Sequence, residues 1–307
     1  MRFSDALKGY WLANKPDRAE STFASYSRVF SRFEEWIADE HVEKMTHHQL
    51  NGYLNYLMDE RSLQPQSVKN HWIALSSFWK WTSKEMEILN VFAEHVAGPK
   101  VRHKMRSPFT KEEVKLISKG VRYMKSYDRV NDKYVEAERS SYVRDIAILA
   151  LFLDTGIRVG ELCDLNIMDF NRQNGRLVIL HGKGDKQRVL PMGDRSRRRL
   201  WQYLTKRDEY KAADPLFVTR NGKRMERNHV YQILAHAGRR YGVKAAGPHR
   251  FRHTFAINFL RNGGSPLELQ RMLGHEKLET VLIYVRLVEV DIESAQKRAS
   301  VGDAWNV

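Results

Sequence analysis

Gly247-Pro248-His249-Arg250-Phe251-Arg252-His253-Thr254-Phe255 opens a helix whose faces carry different chemistry. Proline suits the first helical turn, and Phe251, Phe255 and Phe259 recur every four residues as a core face. His249 and Arg252 are three apart, so they are neighbours on a different face. The start of a helix, with its unpaired N–H groups and dipole, favours an anion. One helix start can therefore deliver imidazole, guanidinium and amide donors to a single anion, which core filling does not explain.

Further residues extend this pattern on both sides. Upstream, Tyr142 to Leu153 reads as a helix buried on most sides, Gly156 breaks it, and Ile157 to Leu165 continues with Arg158 and, three residues on, Glu161 on the same face. Leu177 to Leu180 and Gln187 to Leu190 read as short strands around Gly182-Lys183-Gly184-Asp185, which places Lys183 on a hairpin turn where flanking glycines permit close approach to a ligand. Downstream, Gly263-Gly264 closes the phenylalanine helix. Ser265-Pro266-Leu267-Glu268 opens the next with N-cap, proline and capping-box glutamate in order, and Leu269, Met272 and Leu273 form its buried stripe. Gly274 then stops that helix and projects His275, nine residues before Tyr284 in the apolar segment Thr280 to Val285. A phosphodiester under attack by an oxygen nucleophile gathers negative charge on its non-bridging oxygens. Guanidinium forks and imidazoles can hold that charge, and a tyrosine oxygen is a credible nucleophile.

The ordered set Arg158, Lys183, His249, Arg252, His275 and Tyr284 resembles that of the tyrosine recombinase (phage integrase) family, most closely its short Xer-like members, over nearly the whole chain. The resemblance implies that Tyr284 attacks the scissile phosphate to give a 3′-phosphotyrosyl link and a free 5′-hydroxyl. Arg158, Arg252, His249 and His275 would stabilise the transition state, Lys183 would protonate the leaving 5′-oxygen, and Glu161 matches a supporting acidic position. No metal or other cofactor enters such a cycle. The implied fold is an α-helical amino-terminal core-binding bundle followed by a mainly α (α+β) catalytic domain with a small β-sheet or hairpin. The implied partners are double-stranded DNA with an inverted-repeat core site and further copies of the chain in a homotetramer on paired sites, with a second recombinase or accessory protein left open. A type IB-like topoisomerase and a catalytically silent DNA-binding protein of the same fold are the alternatives.

Composition points the same way. The 307 residues hold 52 Lys and Arg against 37 Asp and Glu, a net charge of +15. The excess is uneven: 15 basic against 13 acidic residues in 1–107, but 37 against 24 in 108–307, where the chemistry lies. Length suggests two domains. Residues 1–96 read as the helical DNA-clamping domain, 97–108 as a basic linker, 109–287 as the catalytic domain, and 288–307 as a tail helix able to dock on a neighbouring subunit. In the first of these, Val68, Trp72, Leu75 and Trp79 share a helical face, and Tyr26, Phe30, Phe33 and Tyr53, Leu54, Leu57 make further stripes, read as core. Asn51, Lys69, Asn70 and His71 are candidates to face DNA. Thr110 to Glu113 caps a helix ending near Tyr123 or Lys125, and the polar stretch Ser126 to Ser141 departs from a short Xer-like pattern without an assignable role.

Other classes find little support. The single Cys163 excludes an intrachain disulfide. The longest apolar run, Ile146 to Leu153, falls far short of the roughly 20 residues that span a bilayer, and no secretory signal follows Met1, so a cytoplasmic, nucleoid-associated protein is expected. No glycine-rich phosphate loop ends in Lys-Ser or Lys-Thr, and no Cys/His metal spacing is present.

Overall fold

The computed structural model describes residues 1–16, 18, 20–101, 107–128, 131–180, 187–207, 209–288, 296, 300, 302 and 303. The chain divides into two units, Met1–Lys104 and Met105–Val307. The first is helical: α1 (Phe3–Asn14), α2 (Glu20–Ile37), α3 (His47–Asp59), α4 (Pro65–Glu85) and the short α5 (Val91–His95), with a 3-10 turn at Val42–Lys44. Thr46 and Gln49 close a capping box at the start of α3, and Pro65 occupies the first position of α4. The aromatic stripes read from the sequence meet in one core. Phe3 lies 5.2 Å from Phe33, and Phe33 lies 4.8 Å from Tyr53, both edge-on. Trp72 donates its indole N–H to Val96 O at 2.9 Å, so packing runs through Val96. His71 does not face outward as expected. It is buried, and its Nδ1 lies 2.9 Å from the Tyr53 hydroxyl. Burial, then the charge of Arg32, depresses its pKa to about 4, so the pair is a neutral core contact.

The second unit begins with α6 (Lys111–Arg122), whose capping box pairs Thr110 with Glu113. A ribbon follows, β1 (Tyr123–Asp128) antiparallel to β2 (Lys133–Glu138). The polar stretch left unassigned in the sequence is thus largely a two-stranded hairpin, and α6 ends before it at Arg122. Then come α7 (Tyr142–Thr155), α8 (Val159–Asp164), a three-stranded antiparallel sheet of β3 (Phe170–Asn171), β4 (Arg176–Ile179) and β5 (Arg188–Pro191), and α9 (Asp194–Leu204). The last elements are α10 (Arg227–Arg240), α11 (Pro248–Arg261), α12 (Pro266–Leu273) and α13 (Glu279–Val285). The linker residues 102–106, the hairpin tip 181–186 with Lys183, and nearly all of the expected tail helix lie outside the described residues.

α11 positions the site because its apolar residues serve two cores at once. Phe251 joins the large cluster built on α6, α7, α9 and α10, whereas Phe255 joins a smaller one with Leu269, Leu273, Val281, Tyr284 and Val288. Cys163 is a free thiol in the larger cluster, and burial pushes its pKa up to about 11. Within the unit, α6 and α10 approach so closely that a Cβ at Gly120 would sit 2.3 Å from Ala237 O. Gly120→Ala therefore forces two helix backbones apart. A cost of about 1–3 kcal/mol is expected, lowering Tm by roughly 3–10 °C in thermal unfolding. A Cβ at Gly52 would meet only the Trp36 ring at 3.7 Å, so Gly52→Ala in α3 should leave Tm unchanged or raise it.

Candidate active site

Three arginines and one carboxylate form the centre of the second unit. Arg158 is the N-cap of α8, not a residue inside the helix as the sequence suggests. Glu161, at the third helical position, accepts the Arg158 backbone N–H at 2.9 Å and its Nη1 at 2.8 Å. Arg188, at the start of β5, grips the same carboxylate with both terminal nitrogens, at 3.0 and 2.6 Å, and donates Nε to Met272 O at 2.9 Å. Burial raises the pKa of Glu161, but hydrogen bonds and charge from Arg188, followed by those of Arg158, outweigh it and hold the carboxyl below its ordinary range. It is a carboxylate at neutral pH.

Arg252 is 7% exposed, yet no carboxylate pairs with it among the described residues. It is the fifth residue of α11, one position beyond the first turn that the sequence suggests, and its guanidinium points inward. Nη1 donates to Gly156 O and Nη2 to Leu273 O, both at 2.7 Å, and Nη2 also lies 2.9 Å from His275 Nε2. Burial, then the charge of Arg158, lowers its pKa, but a guanidinium stays protonated at neutral pH. Gly156 and Gly274 make this geometry possible. Both are left-handed, at φ 59° and 62°, and end α7 and α12. A Cβ at Gly156 would lie 2.3 Å from Phe255, and one at Gly274 3.0 Å from Arg188. Gly274 O in turn accepts Arg158 Nη2 at 3.2 Å.

His275 follows Gly274, its backbone N–H bound to Gln270 O at 3.2 Å. Burial, then the charges of Arg252, Arg158 and Arg188, holds its pKa at about 4, so it is neutral at pH 7. With Arg252 donating to Nε2, the hydrogen-bond pattern assigns the proton to Nδ1, which is buried and has no partner among the described residues. Tyr284 is 5% exposed on α13. Burial raises its pKa, opposed by the charges of Arg252 and Arg158, which places its hydroxyl in the field of both.

The fold thus brings Arg158, Glu161, Arg252 and His275 into one hydrogen-bonded network, with Tyr284 beside it. His249 stands one turn before Arg252 on α11, exposed, its ring 6.5 Å from that of Tyr231. It makes no hydrogen bond to the described residues, and Lys183 lies outside them. Sequence reasoning missed Arg188. Its signal was the strand period, because Arg188 shares a face with the fully buried Leu190 two residues on, and an inward arginine needs a partner. A cavity of ≈ 340 Å³ lined by Phe170, Arg172, Arg197 and Trp201 sits at β3 and α9 and includes none of the site residues.

Among the described residues this arrangement holds two more positive than negative charges in a half-buried place, with the Tyr284 side chain beside it and a buried, unmatched imidazole nitrogen on His275. It suits a bound phosphodiester. Comparison with known proteins gives the same class. Residues 122–289 match the phage integrase family, and residues 14–87 match the N-terminal SAM-like domain of phage integrases. The chain is 32% identical over 281 residues to tyrosine recombinase XerC of Pelobacter propionicus, covering 88% of this chain and 87% of that protein. It is 27% identical over 285 residues to tyrosine recombinase XerD of Oceanobacillus iheyensis, covering 90% of each. A solved structure of the Tn1549 transposon integrase in complex with circular intermediate DNA aligns with a TM-score of 0.74 at 18% identity, over 97% of this chain and 99% of that one, and so shares the fold. With the catalytic match spanning more than half of its length and relatives matched almost end to end, the chain belongs to the phage integrase family of tyrosine recombinases.

Proposed function

We propose that this protein is a site-specific DNA recombinase that cuts and rejoins strands through a covalent 3′-phosphotyrosine and a four-way junction. The observation that carries the reading is the uncompensated charge at Arg158, Arg188 and Arg252 beside the Tyr284 hydroxyl. Tyr284 Oη attacks phosphorus, Arg158 and Arg252 hold the non-bridging oxygens, and His275 Nδ1–H donates to one of them. His249 closes the site from the solvent side of α11, Glu161 and Arg188 keep Arg158 in place, and Lys183 gives a proton to the leaving 5′-oxygen. The phosphotyrosine conserves the bond energy, so religation needs no cofactor.

The amino-terminal unit serves as the DNA clamp, the basic linker follows phosphates, and residues 288–307 dock on the neighbouring subunit of a homotetramer that pairs two inverted-repeat sites. A type IB-like topoisomerase would use the same chemistry without pairing. The recombinase names of the relatives and the match to a phage-integrase SAM-like domain favour recombination. A silent DNA-binding protein would have no use for a buried network that leaves cationic charge beside a tyrosine.

Two measurements test the roles. Covalent protein–DNA adducts trapped in cells and mapped at their DNA ends should cluster at one short inverted-repeat site with the wild-type chain and be absent with Tyr284→Phe. Scattered adducts would point to a topoisomerase, and adducts that persist in the Phe variant would remove Tyr284 as nucleophile. Lys183→Ala should slow cleavage of ordinary DNA by about 10²- to 10⁴-fold, the span of general acid catalysis, and recover with a 5′-thio leaving group that needs no proton. Without that recovery Lys183 is not the general acid.

A further inference from the structure

His253 immediately follows Arg252 and lies one helical turn after His249 on α11. Its ring packs against that of Tyr284, with centroids 5.5 Å apart and planes at 53°. His253 Nδ1 is buried and has no hydrogen-bond partner among the described residues. The Tyr284 hydroxyl makes no hydrogen bond to the described residues. Two packed rings from different helices thus carry one unmatched nitrogen and one unmatched hydroxyl. A buried nitrogen left unmatched costs about 1–3 kcal/mol, and core packing alone would be better served by a phenylalanine at this position.

We propose that His253 is a further residue of the cleavage reaction, the base that takes the phenolic proton of Tyr284 as its oxygen attacks phosphorus. The proposal rests on the recombinase reading above. Its electrostatic setting agrees with the geometry. Burial, then the charges of His249 and Arg252, holds the imidazole below its ordinary pKa, so the ring is neutral at pH 7 and has a lone pair to offer. Nδ1 is the buried atom and Nε2 is not among the buried unmatched ones, so the neutral tautomer with its proton on Nε2 puts the lone pair on the buried edge. On the packed partner ring, burial raises the pKa of Tyr284. Even an ordinary tyrosine is only about one part in a thousand phenolate at pH 7, so a nucleophile in this place gains from an adjacent acceptor.

The proton balance closes in both directions. In cleavage the Oη–H bond breaks as the Oη–P bond forms, the proton goes to His253 Nδ1, the P–O5′ bond breaks, and the 5′-oxygen takes a proton from Lys183. In religation the 5′-hydroxyl gives its proton back to Lys183 and attacks phosphorus, and His253 returns its proton to the departing phenolate.

Single-turnover formation of the covalent adduct on a nicked site, measured from pH 5 to 9, tests this with wild type, His253→Phe and His253→Gln. Phe keeps the ring packing, so DNA affinity and Tm should stay near wild type. Both variants should cleave about 10²-fold more slowly. The acid limb of the wild-type profile should vanish in His253→Phe, and a 5′-thio leaving group should not restore its rate, in contrast to Lys183→Ala. Should Phe not fold, Gln is judged by the same criteria. A variant rate within about threefold of wild type, or an acid limb that stays unchanged, overturns the proposal while wild-type adducts stand. Absence of wild-type adducts overturns the recombinase reading as well.

Discussion

The Glu161 carboxylate, buried and shared by two guanidiniums, is the interaction on which the active site depends. It ties the N-cap of α8 to the first residue of β5, and through the remaining donors of Arg188 and Arg158 to the end of α12. Ion pairs of this kind contribute little net stability, because desolvation offsets most of the attraction. Their removal is another matter. Loss of one partner from a buried pair costs about 3–5 kcal/mol, since the remaining charge is left in a poor solvent. Glu161 therefore fixes geometry more than it adds stability. Without it, two arginines from elements far apart in sequence would repel each other and turn toward water.

Arg252 is held by a different device. Its donors go to carbonyls at the ends of α7 and α12, Gly156 O and Leu273 O. The last carbonyls of a helix lack intrahelical partners and carry the negative end of its dipole, equivalent to about half a charge. Two such ends accept one N–H from each terminal nitrogen of the guanidinium without cancelling its charge as carboxylates would. The left-handed glycines that terminate these helices are thus part of the charge design as well as the chain path. A side chain at Gly156 would collide with Phe255.

Features with a local cause were legible in the sequence. The capping boxes at Thr110 and Ser265, the proline start of α11, the glycine stops and the aromatic core of the first unit each follow from a few adjacent residues, and each is present. Where a residue's fate depends on a distant partner, sequence was a weaker guide. Arg188 was overlooked because its role arises from the pairing of Ile179 with Arg188 and the placement of α12 over that edge. His71 reads as one more polar residue on an amphipathic helix until Tyr53, from another helix, supplies its hydrogen bond. The hairpin at β1 and β2 escaped notice because none of its described side chains is buried and its apolar contacts, such as the Tyr127–Tyr134 ring pair, lie at the surface, so no buried stripe marks it.

The charge balance bears on selectivity for the transition state. Among the described residues, three guanidiniums around one carboxylate leave two net positive charges, and His275 adds none at neutral pH. A DNA phosphodiester brings one negative charge and gains close to a second as the tyrosine oxygen adds to phosphorus. A bound substrate would leave the site undercompensated, whereas the pentavalent state would match it. Interactions that strengthen only in the transition state accelerate the chemical step, and fixed donors in a half-buried site need not reorganise to supply them. Burial keeps Tyr284 protonated despite the neighbouring cations. In the proposed reaction, the burial that makes the arginines effective also keeps the phenol a weak nucleophile until its proton is removed.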